Sequence, residues 1–310
     1  MEPGSDHPVP GGPVAGEHPE PARDRPLVMG ILNVTPDSFS DGGLLPDVDT
    51  AVAAAVAMVR DGADVIDVGG ESTRPGAEPV PVAEEQRRVI PVLEALAEHP
   101  GLAGARLSVD TRNAETAVAA LQVGATLLND VSASLFEVAA DSGAGWVAMH
   151  MAGTPQTMQR APRYRDVVSE VRAFLLERAE LAERAGVAEV WVDPGIGFGK
   201  TTGHNVALLA NLEGICSDGR PVLVGCSRKR SIGVLLARSD HGLPPHPGPV
   251  GGPADFDAVE PVSTAERLTG SLTTASWAMI GGAHCVRVHD VRATALARAA
   301  LAGVFDGSRR

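Results

Sequence analysis

Aromatic residues are scarce in this 310-residue sequence: they make up 3% of the chain, whereas 44% of it is hydrophobic. A core with so few aromatic rings must be built mainly from Val, Ile, Leu and Ala. Buried parallel strands and the helices that cover them have this composition. The composition therefore favours an α/β fold over a β-sandwich.

Cysteine is equally scarce. The three cysteines, Cys216, Cys226 and Cys285, are widely spaced in apolar surroundings. This argues against a disulfide framework and against a cysteine-rich zinc site. We interpret them as small buried side chains in a protein of a reducing compartment.

Basic charge and long apolar runs are lacking as well. The chain has 26 Lys and Arg against 39 Asp and Glu, a formal net charge of -13, so we expect neither nucleic acid nor a membrane as a partner. No stretch approaches the roughly 18 apolar residues of a membrane span, and no apolar signal segment precedes the first strand. The sequence predicts a cytoplasmic protein in which any anion site is local.

Residues 1–25 are rich in Pro, Gly and acidic residues. Such a composition buries too little apolar surface to offset the loss of chain entropy on folding. We expect a disordered N-terminal tail here, followed by a single domain over residues 26–305.

Eight short apolar runs follow the tail, and each precedes a polar or Gly-rich turn and then an Ala-rich stretch of helical period. The runs are LVMGIL (27–32), DVIDVG (64–69), ARLSVD (105–110), ATLLND (125–130), GWVAMH (145–150), EVWVDP (189–194), PVLVGC (221–226) and HCVRVH (284–289). Helices are predicted at 49–61, 82–97, 113–122, 134–142, 165–186, 203–214, 264–281 and 291–302. Eight strand-helix units in order predict a (β/α)8 TIM barrel, with an open doubly wound sheet as the alternative.

Residues 237–263 break this rhythm. Their sequence, ARSDHGLPPHPGPVGGPADFDAVEPVS, is too rich in Pro and Gly for regular structure. We expect a mobile loop between the seventh strand and the last long helix.

Polar residues stand at the carboxyl end of every predicted strand. They are, in order, Asn33; Asp67 with Glu71; Asp110; Asn129 with Asp130; His150; Asp193; Ser227 with Arg228 and Lys229; and Arg287 with His289. In a barrel all eight ends open onto one face, so these residues would converge on one pocket. Helix capping explains one or two of them, such as Asp110 or Asp130, but not acids, amides and bases around the whole ring.

Four of these groups suit a flat nitrogen-rich heterocycle. The carboxylates of Asp110 and Asp193 and the amide of Asn129 can accept hydrogen bonds from ring N–H and exocyclic NH2 groups. Lys229 can donate to a ring carbonyl or nitrogen. This inventory fits the edge of an aminopyrimidinone, with a purely structural network of ion pairs as the alternative.

A second group is basic and favours a phosphate or diphosphate at the barrel mouth. It comprises Arg74, Arg228, Lys229, Arg230, Arg287 and His289. For Arg230, a solvated surface position is an equal alternative. The stretch NVTPDSFSDGG (33–43) has the composition of a mobile loop over an active site, and its Asn33 could bind the Mg2+ that normally accompanies a diphosphate.

Several common motifs are missing. The tetrapeptide GFGK (197–200) lacks the spacing of GxxxxGK[ST] and of GxGxxG, and neither pattern occurs elsewhere. This argues against an ATP or NAD site. No GxSxG elbow supports a Ser-His-Asp triad.

Taken together, these segments resemble the dihydropteroate synthases of the folate pathway. The resemblance covers nearly all of residues 27–302 and rests on the ordered motifs MGILNVTPDSFSDGG, DVGGESTRPGA, SVDT, NDV, MHMAGTPQTMQ, DPGIGFGKT, SRKR and RVHDV. It implies an enzyme that joins p-aminobenzoate to (7,8-dihydropterin-6-yl)methyl diphosphate, giving 7,8-dihydropteroate and diphosphate, with Mg2+ as the cofactor. The Ala-rich segments TASWAMIGGA and ATALARAALAG could pack into a symmetric homodimer.

The resemblance also implies a role for each matching residue. The catalytic residues would be Asp110, Lys229, Arg287 and His289. The pterin diphosphate would contact Asn33, Thr73, Asp110, Asn129, Met149, Asp193, Gly225, Lys229, Arg287, Val288 and His289. The p-aminobenzoate would contact Phe39, Arg74, Pro75, Phe198, Lys229 and Arg230. Arg287 would stack on the pterin face, and Asn33 would bind the Mg2+.

Two alternatives share parts of this pattern. A methyltransferase of the methyltetrahydrofolate type would have the acidic pterin-binding ring, but it has no use for a diphosphate site at Asn33, Arg287 and His289. A catalytically silent relative would bind pterin without releasing diphosphate.

Overall fold

The computed structural model describes residues 25–35, 48–72, 76–244 and 256–303. The eight strands are β1 (Leu27–Asn33), β2 (Val65–Gly69), β3 (Arg106–Asp110), β4 (Leu127–Asp130), β5 (Gly145–Met149), β6 (Val190–Asp193), β7 (Leu223–Val224) and β8 (Cys285–Val288). Each lies within two residues of an apolar run found in the sequence. The predicted N-terminal tail lies outside the described residues except for Arg25, which forms an ion pair with Asp64.

The strands form one parallel sheet in the order β6-β5-β4-β3-β2-β1-β8-β7. The two strands at the ends of this order meet through a parallel bridge between Val192 and Val222. There the amide of Val192 donates to the carbonyl of Pro221 at 3.0 Å. The sheet therefore closes on itself, which confirms the (β/α)8 barrel and excludes the open doubly wound sheet.

Helices lie between successive strands and after the last one. They are α1 (Val48–Arg60), α2 (Val82–Glu98), α3 (Ala114–Gln122), α4 (Phe136–Ser142), α5 (Val167–Ala185), α6 (Thr202–Ala210), α7 (Leu212–Cys216), α8 (Arg230–Asp240), α9 (Leu268–Ile280) and α10 (Val291–Ala300). Short 3-10 segments occur at Pro100–Leu102, Phe256–Ala258 and Thr264–Arg267.

Helix α8 is the main departure from the sequence prediction. It follows β7, where no helix was expected, and its last residues enter the segment 237–263 that was expected to be irregular. Its apolar residues Ile232, Val234 and Ala237 are buried, which stabilises the helix before the Pro-rich stretch begins. The helix ends next to Gly242, whose φ of +64° only glycine adopts readily. Residues 245–255 lie outside the described part.

Alternation along the strands separates the barrel interior from its outer face. The interior holds an apolar plug of Met29, Val65, Leu127, Val147, Trp191, Leu223 and Cys285. Side chains on the opposite strand faces pack beneath the helices in a second, larger core. Six of the plug residues are followed, two positions later in the chain, by a residue on the same inward face. These residues are Asp67, Asn129, Met149, Asp193, Gly225 and Arg287. We refer to these six residues as the polar layer, and it lies directly above the plug.

Trp146 offers a test of the outer core. The side chain is fully buried, its Nε1 donates to Asp130 Oδ2 at 3.1 Å, and its ring meets Phe136 edge-on at 5.8 Å between centroids. We expect Trp146→Ala to lower the free energy of unfolding by about 3–5 kcal/mol, because it leaves a cavity and removes a donor from a buried carboxylate. Urea denaturation measures the loss. Leu243→Ala, at a side chain that is 40% exposed, is the control, and an equal loss in both variants would contradict this account.

Candidate active site

The carboxyl ends of four strands place their residues in one row. Backbone pairing joins Asn33 to Gly69, Gly69 to Asp110, and Asp110 to Asn129. Gly69 lies next to two of these side chains: a Cβ added there would lie 3.6 Å from Asp110 Oδ2 and 3.8 Å from Asn33 Oδ1. Residues from four separate motifs thus face one small region at the top of the polar layer.

Arg287 occupies the centre of this region. Its Nε donates to Asp67 Oδ2 at 2.6 Å, and its Nη2 donates to Asp110 Oδ2 at 2.7 Å. Asn129 Nδ2 also donates to Asp67 Oδ2, at 2.9 Å. Burial by itself would lower the pKa of Arg287, but the two carboxylates raise it above its ordinary value. The guanidinium is therefore a permanent cation held by two acids.

Asp67 is a residue whose importance the sequence did not disclose. It stands at a strand end but was assigned no role, whereas the structure buries it completely between Arg287 and Asn129. Its Oδ1 is buried without a hydrogen-bond partner. An aspartate within the apolar run DVIDVG is the signal that could have identified it, because a buried acid requires a partner.

Two further carboxyls combine burial with spare acceptor capacity. Burial raises the pKa of Asp110 to about 7, although the positive charge of Arg287 opposes the shift. Burial also raises the pKa of Asp193 to about 6, against a hydrogen bond from the Gly195 amide at 2.7 Å and the charge of Lys229. Both carboxylates would gain from N–H donors on a bound ligand, since donors favour the ionised form.

Lys229 lies above the polar layer at the beginning of α8. Its Nζ is 4.1 Å from the centroid of the Phe198 ring, within the range of a cation-π contact. Burial, together with the nearby charge of Arg287, lowers the pKa of Lys229 to about 8. Lys229 thus titrates close to neutrality.

His289 is paired with Ser227. The Ser227 hydroxyl oxygen lies 3.1 Å from His289 Nδ1 and accepts the His289 backbone N–H at 3.3 Å. Burial lowers the pKa of His289 to about 3, and the charges of Arg228 and Arg287 act in the same direction. The imidazole is therefore neutral at physiological pH and adds no positive charge to the site.

The loop GIGFGK (195–200) is held by a buried lysine. Lys200 Nζ lies 2.9 Å from His150 Nδ1 and donates to the carbonyls of Gly195 and Phe198, both at 3.0 Å. Burial lowers the pKa of Lys200 to about 7. Gly195 is required in this loop, because its φ is +65° and a Cβ there would lie 1.9 Å from the His150 carbonyl oxygen. The GFGK motif thus has a structural role that the sequence analysis did not predict.

Several polar strand-end residues serve the scaffold instead of the site. Asp130 accepts the amides of Ser134 and Leu135 in the turn that leads into α4, as the capping alternative had allowed. Arg228, expected in the basic group, forms an ion pair with Asp290 at 2.6 Å. Glu71 is similarly paired, with Arg112, at 2.7 Å.

The remaining expected site residues differ in their placement. Met149, a member of the polar layer, forms an apolar cluster with Phe198, Val131 and Met158. Gly225 adjoins the Cβ of Arg287. The Val288 side chain faces outward into the core beneath the helices, so this residue could contact a ligand only through its backbone. Arg230 is exposed at the first turn of α8. The expected site residues outside the described part are Phe39, Thr73, Arg74 and Pro75.

The described part of the chain contains neither a metal-ligand cluster nor a membrane-spanning helix. No group of three His, Cys, Asp or Glu side chains in them could hold a metal ion. None of the helices in these ranges is both long and apolar enough to span a membrane.

A barrel whose mouth presents buried acids, an amide and basic groups defines a class of heterocycle-binding enzymes. The sequence matches the pterin binding enzyme family over residues 29–289, and the chain belongs to this family. Within it, the chain belongs to the dihydropteroate synthases, the transferases that condense p-aminobenzoate with (7,8-dihydropterin-6-yl)methyl diphosphate to give 7,8-dihydropteroate and diphosphate. The expectation drawn from the motifs is confirmed.

The similarity extends along most of the chain. The dihydropteroate synthase of Escherichia coli (strain K12) is 45% identical over 275 residues, which is 87% of this chain and 88% of the relative. A Xanthomonas albilineans dihydropteroate synthase solved with 4-aminobenzoic acid is 44% identical, with a TM-score of 0.76 over 93% of this chain and 94% of the other. The same enzyme in complex with 7,8-dihydropteroate is 42% identical, with a TM-score of 0.74 over 93% and 95%.

The shifted pKa values predict a bell-shaped pH dependence of kcat/KM for the pterin diphosphate. Activity should fall as the pH drops through about 7 and 6, because protonation of Asp110 and Asp193 removes charged acceptors. It should also fall above about 8, where Lys229 loses its proton. The Asp110→Asn variant tests whether the limb near pH 7 comes from the enzyme. That limb should vanish in the variant, whereas any limb caused by titration of the substrate should remain. A variant profile identical to that of the wild type would rule out Asp110 as its source.

Proposed function

We propose that this chain condenses its two substrates on the polar layer around Arg287, with the pterin lying on Arg287 and held at its edge by Asp110, Asn129, Asp193 and Lys229. The observation that carries this proposal is the position of Arg287 between two buried carboxylates. A guanidinium held in this way presents a flat cation at a defined height in the barrel.

The hydrogen-bonding capacity of the layer supports this placement. The amide nitrogen of Asn129 donates to Asp67, which leaves the amide oxygen as an acceptor for a ligand. Asp193 accepts the Gly195 amide through Oδ1, so its other oxygen can accept from a ligand. Two neighbouring acceptors of this kind match the ring N–H and exocyclic NH2 of an aminopyrimidinone, and Lys229 can donate to its carbonyl.

The chemistry requires no covalent bond to the protein. The C–O bond to the departing diphosphate breaks, and the resulting methylene cation is delocalised into the electron-rich pterin ring. The negative charge of Asp110 stabilises that cation. The aryl amine nitrogen then forms the new C–N bond and releases a proton to solvent or to the departing diphosphate. Exclusion of water by the surrounding loops protects the cation from hydrolysis.

Arg287 and His289 would face the diphosphate, together with Thr73 and Asn33. His289 is neutral in the free protein, and a bound anion would favour its protonated form. Asn33 would also hold Mg2+ through its amide oxygen. This donor set fits, because Mg2+ commonly uses one or two protein oxygens and completes its shell with substrate phosphates and water. When bound, the ion would neutralise charge on the leaving diphosphate.

The p-aminobenzoate would lie above the pterin, against Phe198, Lys229 and Arg230, with Phe39, Arg74 and Pro75 completing the pocket. Phe198 is buried in an apolar cluster, and Lys229 lies over its ring. Arg230 is exposed at the first turn of α8. An apolar wall beside two cations suits an aromatic ring with a carboxylate.

We also propose a homodimer that forms through α9 and α10. Trp277 and Ile280 on α9 are 55% and 52% exposed, and Leu296 on the neighbouring α10 is 60% exposed. Exposed large apolar side chains on neighbouring helices are typical of a protein interface. A single-chain mass in sedimentation equilibrium would contradict the dimer.

We place the enzyme in the cytoplasm, consistent with its free cysteines, and its recovery in a secreted fraction would contradict this.

Release of diphosphate from the pterin substrate tests the function directly. With p-aminobenzoate present, we expect stoichiometric diphosphate and 7,8-dihydropteroate; EDTA should lower the rate at least about 10-fold, and added Mg2+ should restore it. Pterin binding without diphosphate release would identify a catalytically silent relative. An unchanged rate in EDTA would contradict the proposed role of Mg2+.

Asp110→Asn tests the role of the carboxylate in stabilising the cation. The variant keeps the size of the side chain but loses its charge, so turnover should fall at least about 100-fold. Pterin binding should weaken by less than about 10-fold, because hydrogen-bonding atoms remain. Asp141→Asn, an equivalent change at an exposed position of α4, is the control. Equal losses of turnover and binding would count against the cation role.

A further inference from the structure

The short 3-10 segment Phe256–Ala258 is packed against α8. Phe256 is 3% exposed, and the guanidinium carbon of Arg238 on α8 lies 4.1 Å from the centroid of its ring. Arg238 Nη1 also donates to the Phe256 carbonyl at 3.3 Å. The segment follows a stretch that is long for a connection between a strand and a helix of a barrel, yet its end is firmly held.

Asp257 in this segment links two helices. Its carboxylate accepts both the backbone N–H (3.1 Å) and the hydroxyl of Thr202, the first residue of α6. Its carbonyl accepts Arg230 Nη2, from the first residue of α8, at 3.2 Å. The Thr202 amide is one of the donors that a helix start leaves without an intrahelical partner. A carboxylate at this end is also favoured by the helix dipole.

These two helices belong to the strand-helix units on either side of the contact between β6 and β7, which we call the seam of the barrel. β7 is only two residues long, and it meets β6 through the single bridge between Val192 and Val222. Few backbone hydrogen bonds therefore set the spacing of the two units at this seam. Asp257 adds a connection between them on the side where the site opens.

The residues of the proposed p-aminobenzoate pocket come from these same two units. Phe198 lies on the loop that precedes α6, whereas Lys229 and Arg230 lie at the start of α8. The 4.1 Å contact of Lys229 Nζ with the Phe198 ring spans the seam. A change in the spacing of α6 and α8 would therefore alter the pocket while leaving three pterin residues away from these helices, Asp110, Asn129 and Arg287, in place.

We infer that Asp257 is a positioning residue for p-aminobenzoate: by linking Thr202 to Arg230, it sets the distance between the two walls of the pocket. This inference rests on the proposed placement of p-aminobenzoate against Phe198, Lys229 and Arg230. Because Arg230 is held through a main-chain carbonyl, the contact does not neutralise its charge, and the guanidinium keeps N–H donors for the carboxylate of the substrate.

Steady-state kinetics of Asp257→Ala in the full chain provides the test. We expect KM for p-aminobenzoate to rise about 5- to 10-fold, as for a small misplacement of binding groups, while KM for the pterin diphosphate and kcat stay within about 2-fold of the wild type. Asp257→Asn keeps one acceptor oxygen and should show a smaller rise. Glu260→Ala removes the same charge from an exposed position two residues beyond the segment and should match the wild type.

A double-mutant cycle with Thr202→Val checks the physical link. If the carboxylate acts through Thr202, the double variant should raise KM for p-aminobenzoate by less than the product of the two single effects. Equal rises of KM for both substrates, no rise in Asp257→Ala, or an equal effect of Glu260→Ala would each overturn the inference.

Calorimetric titration of p-aminobenzoate, with Mg2+ and inorganic diphosphate present, separates this inference from the proposed function. The Kd should be about 5- to 10-fold weaker in Asp257→Ala than in the wild type, and an equal Kd would overturn the positioning role. A wild type that binds p-aminobenzoate but releases no diphosphate would refute the proposed function alone. A wild type that binds no p-aminobenzoate would refute both.

Discussion

The guanidinium of Arg287 lies between the carboxylates of Asp67 and Asp110, and the geometry of the barrel mouth follows from this arrangement. Arg287 belongs to β8 and the two acids to β2 and β3, so the ion pairs cross the interior of the barrel. Removal of three charges from water is costly, and only short charge-assisted hydrogen bonds compensate for it. Any displacement of one partner would leave the others buried and unpaired, so all three are held in place.

This arrangement also determines the electrostatics of the site. Two acids already offset the charge of Arg287, and Asp193 adds a third buried carboxyl nearby. The layer therefore favours a ligand rich in N–H donors, such as a pterin, and by itself repels a diphosphate. His289 does not reverse this balance, because its imidazole is neutral. The proposed Mg2+ would supply the charge that the protein does not.

The two halves of the site differ in how they are held together. Three of the pterin residues, Asp110, Asn129 and Arg287, lie on strands with several paired positions, where the closed sheet itself sets their spacing. The proposed p-aminobenzoate residues lie beside the seam between β6 and β7, where the sheet contributes one bridge. There the chain uses side chains instead: Lys200 holds the loop of Phe198, and Asp257 connects α6 with α8. Substitutions near the seam would therefore affect one substrate more than the other.

Local pattern was sufficient to locate every strand and most helices, because alternation of strand and amphipathic helix is expressed within a few residues. Residue type and position at strand ends were sufficient to propose Asp110, Asn129, Asp193, Lys229 and Arg287 as one group. Helix α8 was missed because the Pro-rich composition of the segment beyond it outweighed a short apolar pattern. The structural role of Lys200 was missed because most of its partners are backbone carbonyls, which no side-chain motif reveals.

The sequence by itself thus determined the type of fold and the chemical groups available at the barrel mouth, since both depend on periodicity and on residue type. Only the tertiary structure decided which of these charged groups remain available to a ligand. It pairs Arg228 with Asp290 and buries Asp67 against Arg287, and it keeps His289 neutral. The physical reason is that the free energy of a charge depends on its burial and on its neighbours. These are set by contacts between residues far apart in the chain, such as Arg287 and Asp67, which are 220 positions apart.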